Sequence, residues 1–307
     1  LVHPESGMVV CADARIDNRE ELAGGLPARE LSELTDSDLF HRTYQQTGVA
    51  CLNRLRGDYS LAVYHKKEHR LFLARDHFGM RPLFYYDHPE YFVFSSEIRA
   101  ILVLPWVQKK LNTSWLAHFL VNSDEDAFET FYEDIRVVPP GHYLELTGRD
   151  PVIHQYWELT IPPLTTKKND QEYMDEYKRL FDRAVAVRTR SAYPVGSELS
   201  GGLDSSSVVS LAQSHRKETG EDLHVFARVL PPGYQMQPGK EDHDEAREIE
   251  LVCDFCGITN LHRITMAGQR ISENIAKITG FLKTPVFSNY PVYNLNLIES
   301  AAKASVR

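Results

Sequence analysis

Val195-Gly196-Ser197-Glu198-Leu199-Ser200-Gly201-Gly202-Leu203-Asp204-Ser205-Ser206-Ser207-Val208-Val209 reads as a strand that stops in a tight polar loop and restarts as a helix. Gly201 and Gly202 allow the backbone to turn without a Cβ clash and to approach a ligand closely. Ser205, Ser206 and Ser207 are expected to open the helix, where serine is a favoured residue. Several backbone N–H groups then converge at the positive end of a helix dipole, which makes an anion site suited to phosphate or pyrophosphate. No lysine follows the glycines, as the common phosphate loop requires, and the chain has no G-x-S-x-G hydrolase elbow.

Working outward from this loop, the C-terminal half alternates strands and helices. A helix is expected over residues 172–190, where Tyr173, Tyr177, Leu180, Phe181, Ala184 and Val187 recur at helical spacing. Strands are expected at residues 223–229 and 261–264, with helices over 243–256, 269–282 and 292–304. Such alternation implies a parallel sheet, whose ligands sit at the carboxyl ends of the strands. The N-terminal half reads differently. Strands rich in aromatic and β-branched residues at 59–64, 70–75, 81–86 and 91–96 are joined by short polar turns, which implies antiparallel hairpins. A capped helix is expected after Thr35-Asp36-Ser37-Asp38, ending at Gly48, and a shorter one capped by Asp17 or Asn18. Residues 147–170 are rich in Pro, Thr and charge and read as a linker.

The 307 residues suffice for about two domains. A formal net charge of −9 argues against a nucleic-acid surface as the main business. Cys11, Cys51, Cys253 and Cys256 are too few and too scattered for a secreted disulfide frame. No apolar run approaches the roughly 18 residues of a membrane helix, and no signal peptide opens the chain, so a cytoplasmic location without a membrane partner is expected. Cys253-Asp254-Phe255-Cys256 has C-x-x-C spacing but no second pair of ligands, and it falls inside a helix; core packing is the expected role. Asp242, Asp244 and Glu245 could bind metal, although acids in a first helical turn commonly just complement the dipole.

The S-G-G-x-D-S core resembles the loop of enzymes that split ATP into AMP and pyrophosphate. Further strings extend the likeness: Ala12-Asp13-Ala14-Arg15-Ile16-Asp17-Asn18-Arg19, Leu55-Arg56-Gly57-Asp58-Tyr59, Ala74-Arg75-Asp76-His77-Phe78-Gly79-Met80-Arg81-Pro82-Leu83, Ser95-Ser96-Glu97-Ile98 and Pro139-Pro140-Gly141-His142. Taken in order, they resemble asparagine synthetase and its relatives from end to end. The resemblance implies an α+β, class II glutamine amidotransferase domain over residues 1–146, an incomplete Ntn-type sandwich. The linker at 147–170 follows, then an incomplete α/β ATP-pyrophosphatase domain of Rossmann-like, adenine nucleotide alpha hydrolase type over 171–307. It further implies that glutamine yields ammonia, that aspartate is activated by ATP and Mg²⁺ as an acyl-adenylate, and that ammonia attacks the acyl carbon. Ser200 and Ser205, with the Gly201-Gly202 amides, would bind pyrophosphate; Leu203 and Ser206 belong to the same loop. Asp204 would hold Mg²⁺, a hard cation suited to carboxylate and phosphate oxygens. Leu199 and Arg228 fall where the family contacts adenosine. Asp13, Arg15 and Asp36 fall on the glutamine side, and for Asp36 a helix cap is the competing role. Glutamine, aspartate and ATP are the implied partners, and the resemblance allows a homodimer.

The departures matter as much. The family's nucleophile is an N-terminal cysteine whose free α-amine acts as base; Leu1 lies well inside that domain, and Cys11 is expected to pack as a small hydrophobe in its strand. Asp13 stands where the family's oxyanion site carries an Asn, and a carboxylate there would repel a developing oxyanion. The chain also stops at Arg307, short of a second glycine-rich acidic motif, so it reads as cut at both ends or as a gene fragment, not expected to run the full reaction alone. Three alternatives stand beside an amide ligase. One is a glutaminase-dead relative that closes an internal amide, of the β-lactam synthetase or lasso-peptide cyclase kind. The others are a tRNA-modifying pyrophosphatase and a protein that only senses nucleotide.

Overall fold

A computed structural model describes residues 2–3, 7–121, 123, 128–163, 169–231, 233–234, 245–265, 270–286 and 290–306. The chain divides into two compact units, Leu1–Pro162 with Phe281–Pro285, and Pro163–Gly280 with Val286–Arg307.

The first unit runs β1 (Val2–His3), β2 (Met8–Ile16), α1 (Arg19–Leu22), α2 (Ala28–Glu33), α3 (Asp36–Thr47), β3 (Gly57–His65), β4 (Arg70–Arg75), β5 (Phe84–Asp87), β6 (Phe92–Ser95), α4 (Ile98–Leu102), α5 (Thr113–Val121), β7 (Ile135–Val137), β8 (His142–Thr147) and β9 (Asp150–Gln155). Six strands form one antiparallel sheet in the order β1-β2-β3-β4-β8-β9, and three form a second in the order β6-β5-β7. Alternation along the strands gives the large sheet two apolar faces. Val10, Ile16, Tyr59, Leu61, Val63 and Phe72 pack with Leu39, Phe40 and Tyr44 of α3. Ala62, Leu71, Leu73 and Leu144 pack on the other side with Leu83, Tyr85 and Val138 around the small sheet. Tyr86 and Ile135 then meet Ile98, Ile101 and Leu102 of α4. The layers are therefore helix, sheet, sheet, helix.

The hairpins and the α3 boundaries follow the sequence expectations, with three differences. Residues 147–155 are not linker: β8 turns at Gly148 (φ +80°) into β9, which pairs as an edge strand. Pro151 had disguised it, but an edge strand tolerates a residue that cannot donate on its outer side. Asn18 precedes α1 without capping it; its amide instead accepts from Arg56 N (2.9 Å) and donates to Arg54 O (2.8 Å). Cys11 is exposed, because it shares with Val9, Asp13 and Arg15 the β2 face turned away from α3.

Asp76 organises the turn that joins the two sheets. It is 1% exposed, and its carboxylate accepts from the backbone N–H groups of Tyr59 (3.2 Å), Phe78 (3.1 Å), Met80 (3.0 Å) and Arg81 (2.9 Å). Arg75 completes the turn by donating to the carbonyls of Arg81 (2.8 Å), Val138 (3.1 Å) and Gly79 (2.7 Å). Gly79 (φ +67°) is obligatory here, since a Cβ would lie 2.8 Å from Pro140 and 2.9 Å from the Arg75 guanidinium. Beside them His77 meets the rings of Tyr59, Tyr156 and Trp157 edge-on.

The second unit contains α6 (Asp170–Arg188), β10 (Gly196–Glu198), α7 (Leu203–Glu218), β11 (His224–Arg228), α8 (Ala246–Cys256), β12 (Asn260–Ile264), α9 (Ile271–Leu282) and α10 (Tyr290–Lys303). The three strands are parallel, in the order β10-β11-β12. Leu199, Val209, Ala212, Val225, Ala227, Ile249 and Cys253 fill the core between this sheet and α7 and α8. α10 packs on β11 and β12. Among the described residues no helix is long and apolar enough to cross a membrane.

Two outcomes follow. Asp76→Asn leaves backbone donors facing an amide N–H₂, so it should destabilise the first unit by about 3 kcal/mol in urea titration. Burial lowers His77 from its ordinary 6.5 against the raising influence of Asp76. Its contribution to stability is then complete above 6.5 and lost as pH falls from that value through the lowered folded one, because the unfolded chain takes up the proton first. The urea midpoint should drop between pH 7 and pH 5, and His77→Phe should flatten part of that slope.

Candidate functional site

In the second unit the chain leaves β10 at Glu198, buries Leu199 completely, and turns through Ser200, Gly201 and Gly202 into α7. Leu199 N donates to Phe226 O (3.0 Å), which ties the loop to the carboxyl end of β11. Ser200 N donates to Ser205 Oγ (3.2 Å), the two hydroxyls lie 3.1 Å apart, and Ser205 Oγ donates to Gly202 O (3.2 Å). The first residue of the helix is Leu203, not a serine, and Gly202 precedes it with no side-chain cap. The expected capping by Ser205 to Ser207 is therefore corrected: Ser205 braces the loop from inside the first turn, and Ser207 Oγ donates back to Leu203 O (2.7 Å). A helix without a side-chain cap leaves its first amides to a ligand or solvent. Ser206 Oγ is buried without a hydrogen-bond partner among the described residues.

Gly201 adopts φ +78°, and a Cβ there would stand 2.8 Å from Glu248 Cβ on α8. Asp204 is exposed in the first turn of α7, and Leu203 is 88% exposed beside it. Asp204 contributes a single exposed carboxylate at the start of α7, the donor type that Mg²⁺ takes together with phosphate oxygens. Arg228, at the end of β11, places Nη2 3.5 Å from Glu198 Oε1, and the Tyr290 hydroxyl of α10 donates to Glu198 Oε2. The hydrogen bond to Glu198 and burial both raise the Tyr290 pKa.

In the first unit Asp13 and Arg15 share one face of β2. Asp13 Oδ1 lies 3.7 Å from Arg81 Nε, with both side chains nearly half exposed. Arg15 Nε donates to Asp17 Oδ1 (3.0 Å). Asp36 accepts from Ile16 N (3.0 Å) and pairs with Arg19. The cap of α3 is formed by Thr35 and Asp38, which bond reciprocally. Cys51 is buried and its thiol pushed up to about 12. Cys253 is buried, and Ser210 Oγ stands 3.2 Å from Cys256 Sγ. Among the described residues no group of three or more His, Cys, Asp or Glu side chains could hold a metal. Asp242 and Asp244 lie outside the described residues, and Glu245 immediately precedes α8.

Two family models match this chain: a glutamine amidotransferase domain over residues 1–157 and asparagine synthase over residues 176–307. The chain belongs to the glutamine-hydrolysing asparagine synthetase family. A putative asparagine synthetase of Methanocaldococcus jannaschii is 29% identical over 85% of this chain and 49% of its own length. Asparagine synthetase 2 of Bacillus subtilis is 26% identical over 82% of this chain and 34% of its own. Amidase chry2 of Gibberella zeae is 27% identical over 85% of this chain and 38% of its own. The chain thus spans between about a third and a half of the length of these relatives. The fold class is that of a class II glutamine amidotransferase domain followed by an adenine nucleotide hydrolase-like domain.

The fold brings Leu199, Ser200, Gly201, Gly202, Leu203, Asp204, Ser205 and Ser206 together at one strand end, with Arg228 on the next strand. It puts Asp13 and Arg15 on one strand face and turns Asp36 inward to Arg19 and the β2 backbone. Sequence reasoning missed Glu198, whose signal was a charge at the last strand position. It also missed Tyr290, which no local pattern connects to that charge. Gly201→Val should lower the urea midpoint of the second unit, because the side chain would push the loop away from α8 and a β-branched residue is strained at φ +78°.

Proposed function

We propose that this chain carries the amidotransferase-like and ATP-pyrophosphatase parts of an ATP-dependent amide ligase of the asparagine synthetase type. The closed loop at the carboxyl edge of the parallel sheet, braced by Ser200 and Ser205 and opening onto uncapped amides of α7, supports this reading most directly. In it the Ser200 and Ser205 hydroxyls and the amides from Gly201 onward hold the β- and γ-phosphates of ATP. Leu199 and Arg228 border the adenosine. Asp204 holds Mg²⁺, which when bound neutralises charge on the phosphate oxygens. A carboxylate, that of aspartate or a similar acid, attacks the α-phosphorus; the bond to the bridging oxygen breaks, and pyrophosphate leaves with that electron pair. Ammonia derived from glutamine then attacks the acyl carbon of the adenylate, and AMP departs as the amide forms. A pre-formed loop favours the departing diphosphate because its donors need no reorganisation as charge develops.

One observation favours a second reading. Asp13 is a half-exposed carboxylate paired with Arg81, where an oxyanion site would want a neutral donor. A relative that adenylates a carboxylate but takes its amine from within the same substrate fits that pair. ATP–pyrophosphate exchange tests the main proposal. Labelled pyrophosphate should enter ATP only when an acceptor carboxylate such as aspartate is added, and Ser205→Ala should slow it by one to two orders of magnitude, about 1.4 kcal/mol for each tenfold. Nucleotide binding without exchange for any carboxylate would overturn it. Ammonia release from glutamine separates the two readings.

A further inference from the structure

Glu198 is the last residue of β10 and stands immediately before the anion loop. Strand alternation sends Leu199 into the core under α7 and α8, so Glu198 projects to the opposite face with Gly196. That face carries Phe226 and is closed by residues from the C-terminal end: a Cβ at Gly196 would lie 2.7 Å from the Phe226 ring and 2.9 Å from Val306. There the Glu198 carboxylate is held from two sides, by Arg228 at the end of the neighbouring strand and by Tyr290 in the first turn of α10. One turn further along α10, Asn294 is 1% exposed. Its side chain lies beside the Tyr290 hydroxyl.

Stability does not account for this arrangement. The Glu198 and Arg228 side chains are 27% and 43% exposed and 3.5 Å apart, and an ion pair so open to solvent contributes little. A carboxylate one residue from a phosphate-binding loop also opposes phosphate through space, a cost that Arg228 offsets. Its acceptor oxygens have a use if the ligand brings neutral donors to the same edge. An acidic side chain at a strand's carboxyl end serves ribose hydroxyls in this way in other nucleotide-binding sheets. Adenosine offers two such groups, the ribose hydroxyls and the exocyclic amine.

We propose that Glu198, positioned by Arg228 and Tyr290, is a specificity-determining residue that accepts a hydrogen bond from a neutral donor of the nucleoside. This rests on the ATP-pyrophosphatase reading above. Equilibrium binding to the full chain tests it with ATP, 2′,3′-dideoxy-ATP and the triphosphate of purine riboside, which lacks the exocyclic amine. The wild-type chain should bind one analogue about tenfold more weakly than ATP, as expected for a lost bond to a charged acceptor. Which analogue suffers identifies the donor. Glu198→Ala should bind ATP and that analogue alike, the isosteric Glu198→Gln should retain a smaller preference, and Tyr290→Phe should fall between Gln and wild type. Glu198→Gln carries the test if the alanine variant does not fold. Equal binding of all three nucleotides by the wild type, or a preference untouched in both Glu198 variants, would overturn this inference alone. A wild-type chain that binds neither ATP nor pyrophosphate would take down the proposed function as well.

Discussion

The missing side chain at position 201 sets what the second unit can do. With only hydrogen there, Glu248 of α8 closes to a distance no Cβ could share, and the backbone passes through φ +78°. That approach lets one short loop be backed by α8, tied to β11 through Leu199, and braced across its mouth by Ser200 and Ser205. The loop is thereby held from three sides. Its polar groups face outward from a core of Leu199, Val209, Val225 and Ile249, which allows the carboxyl edge of the sheet to be wet while the layer beneath stays dry.

The first unit rests on a comparable economy of charge. Arg19 reaches Asp36 and the carbonyls of Leu31 (2.8 Å) and Leu34 (2.6 Å), so one guanidinium fastens α1, α2 and the start of α3 together. Tyr59 and Tyr156 bond through their hydroxyls (2.9 Å), and the Tyr156 hydroxyl donates to Arg75 O (2.8 Å). Burial raises both phenols well above the ordinary value, as befits donors with no exposed route to ionise. The face of β2 that carries Cys11, Asp13 and Arg15 is the one turned away from α3. Beside it lies a cavity of about 310 Å³ lined by Cys11, Tyr64, Phe92 and Phe94.

How much of this was legible depended on range. Periodicity and turn residues located the hairpin strands β3 to β6, helix α3 and the strands and helices of the second unit, because hairpins such as the one through residues 66–69 and caps such as Thr35 act within a few positions; α2 and β7 were not expected. The anion loop was legible for the same reason: its glycines and serines are contiguous. Four features resisted. Pro151 hid β9, since edge position is a property of the sheet and not of the strand. The exposure of Cys11 depended on which face of β2 received a cover, which an apolar run of residues cannot tell. Asp36 looked like a helix cap or a ligand contact, whereas its partner Arg19 lies 17 residues away and Ile16 N lies 20 away. Glu198 and Tyr290 are separated by 92 positions and meet only because α10 returns to the sheet.

The shared acceptor at Asp76 has a bearing on how the first unit breathes. Tyr59, Phe78, Met80 and Arg81 send their amides to one carboxylate from two separate segments of chain. No one of them gains a solvent partner freely while the others hold the acceptor in place. Their protons should therefore exchange with deuterium at a common rate, as the signature of a single opening event that parts the turn from β3, and not as four independent flickers.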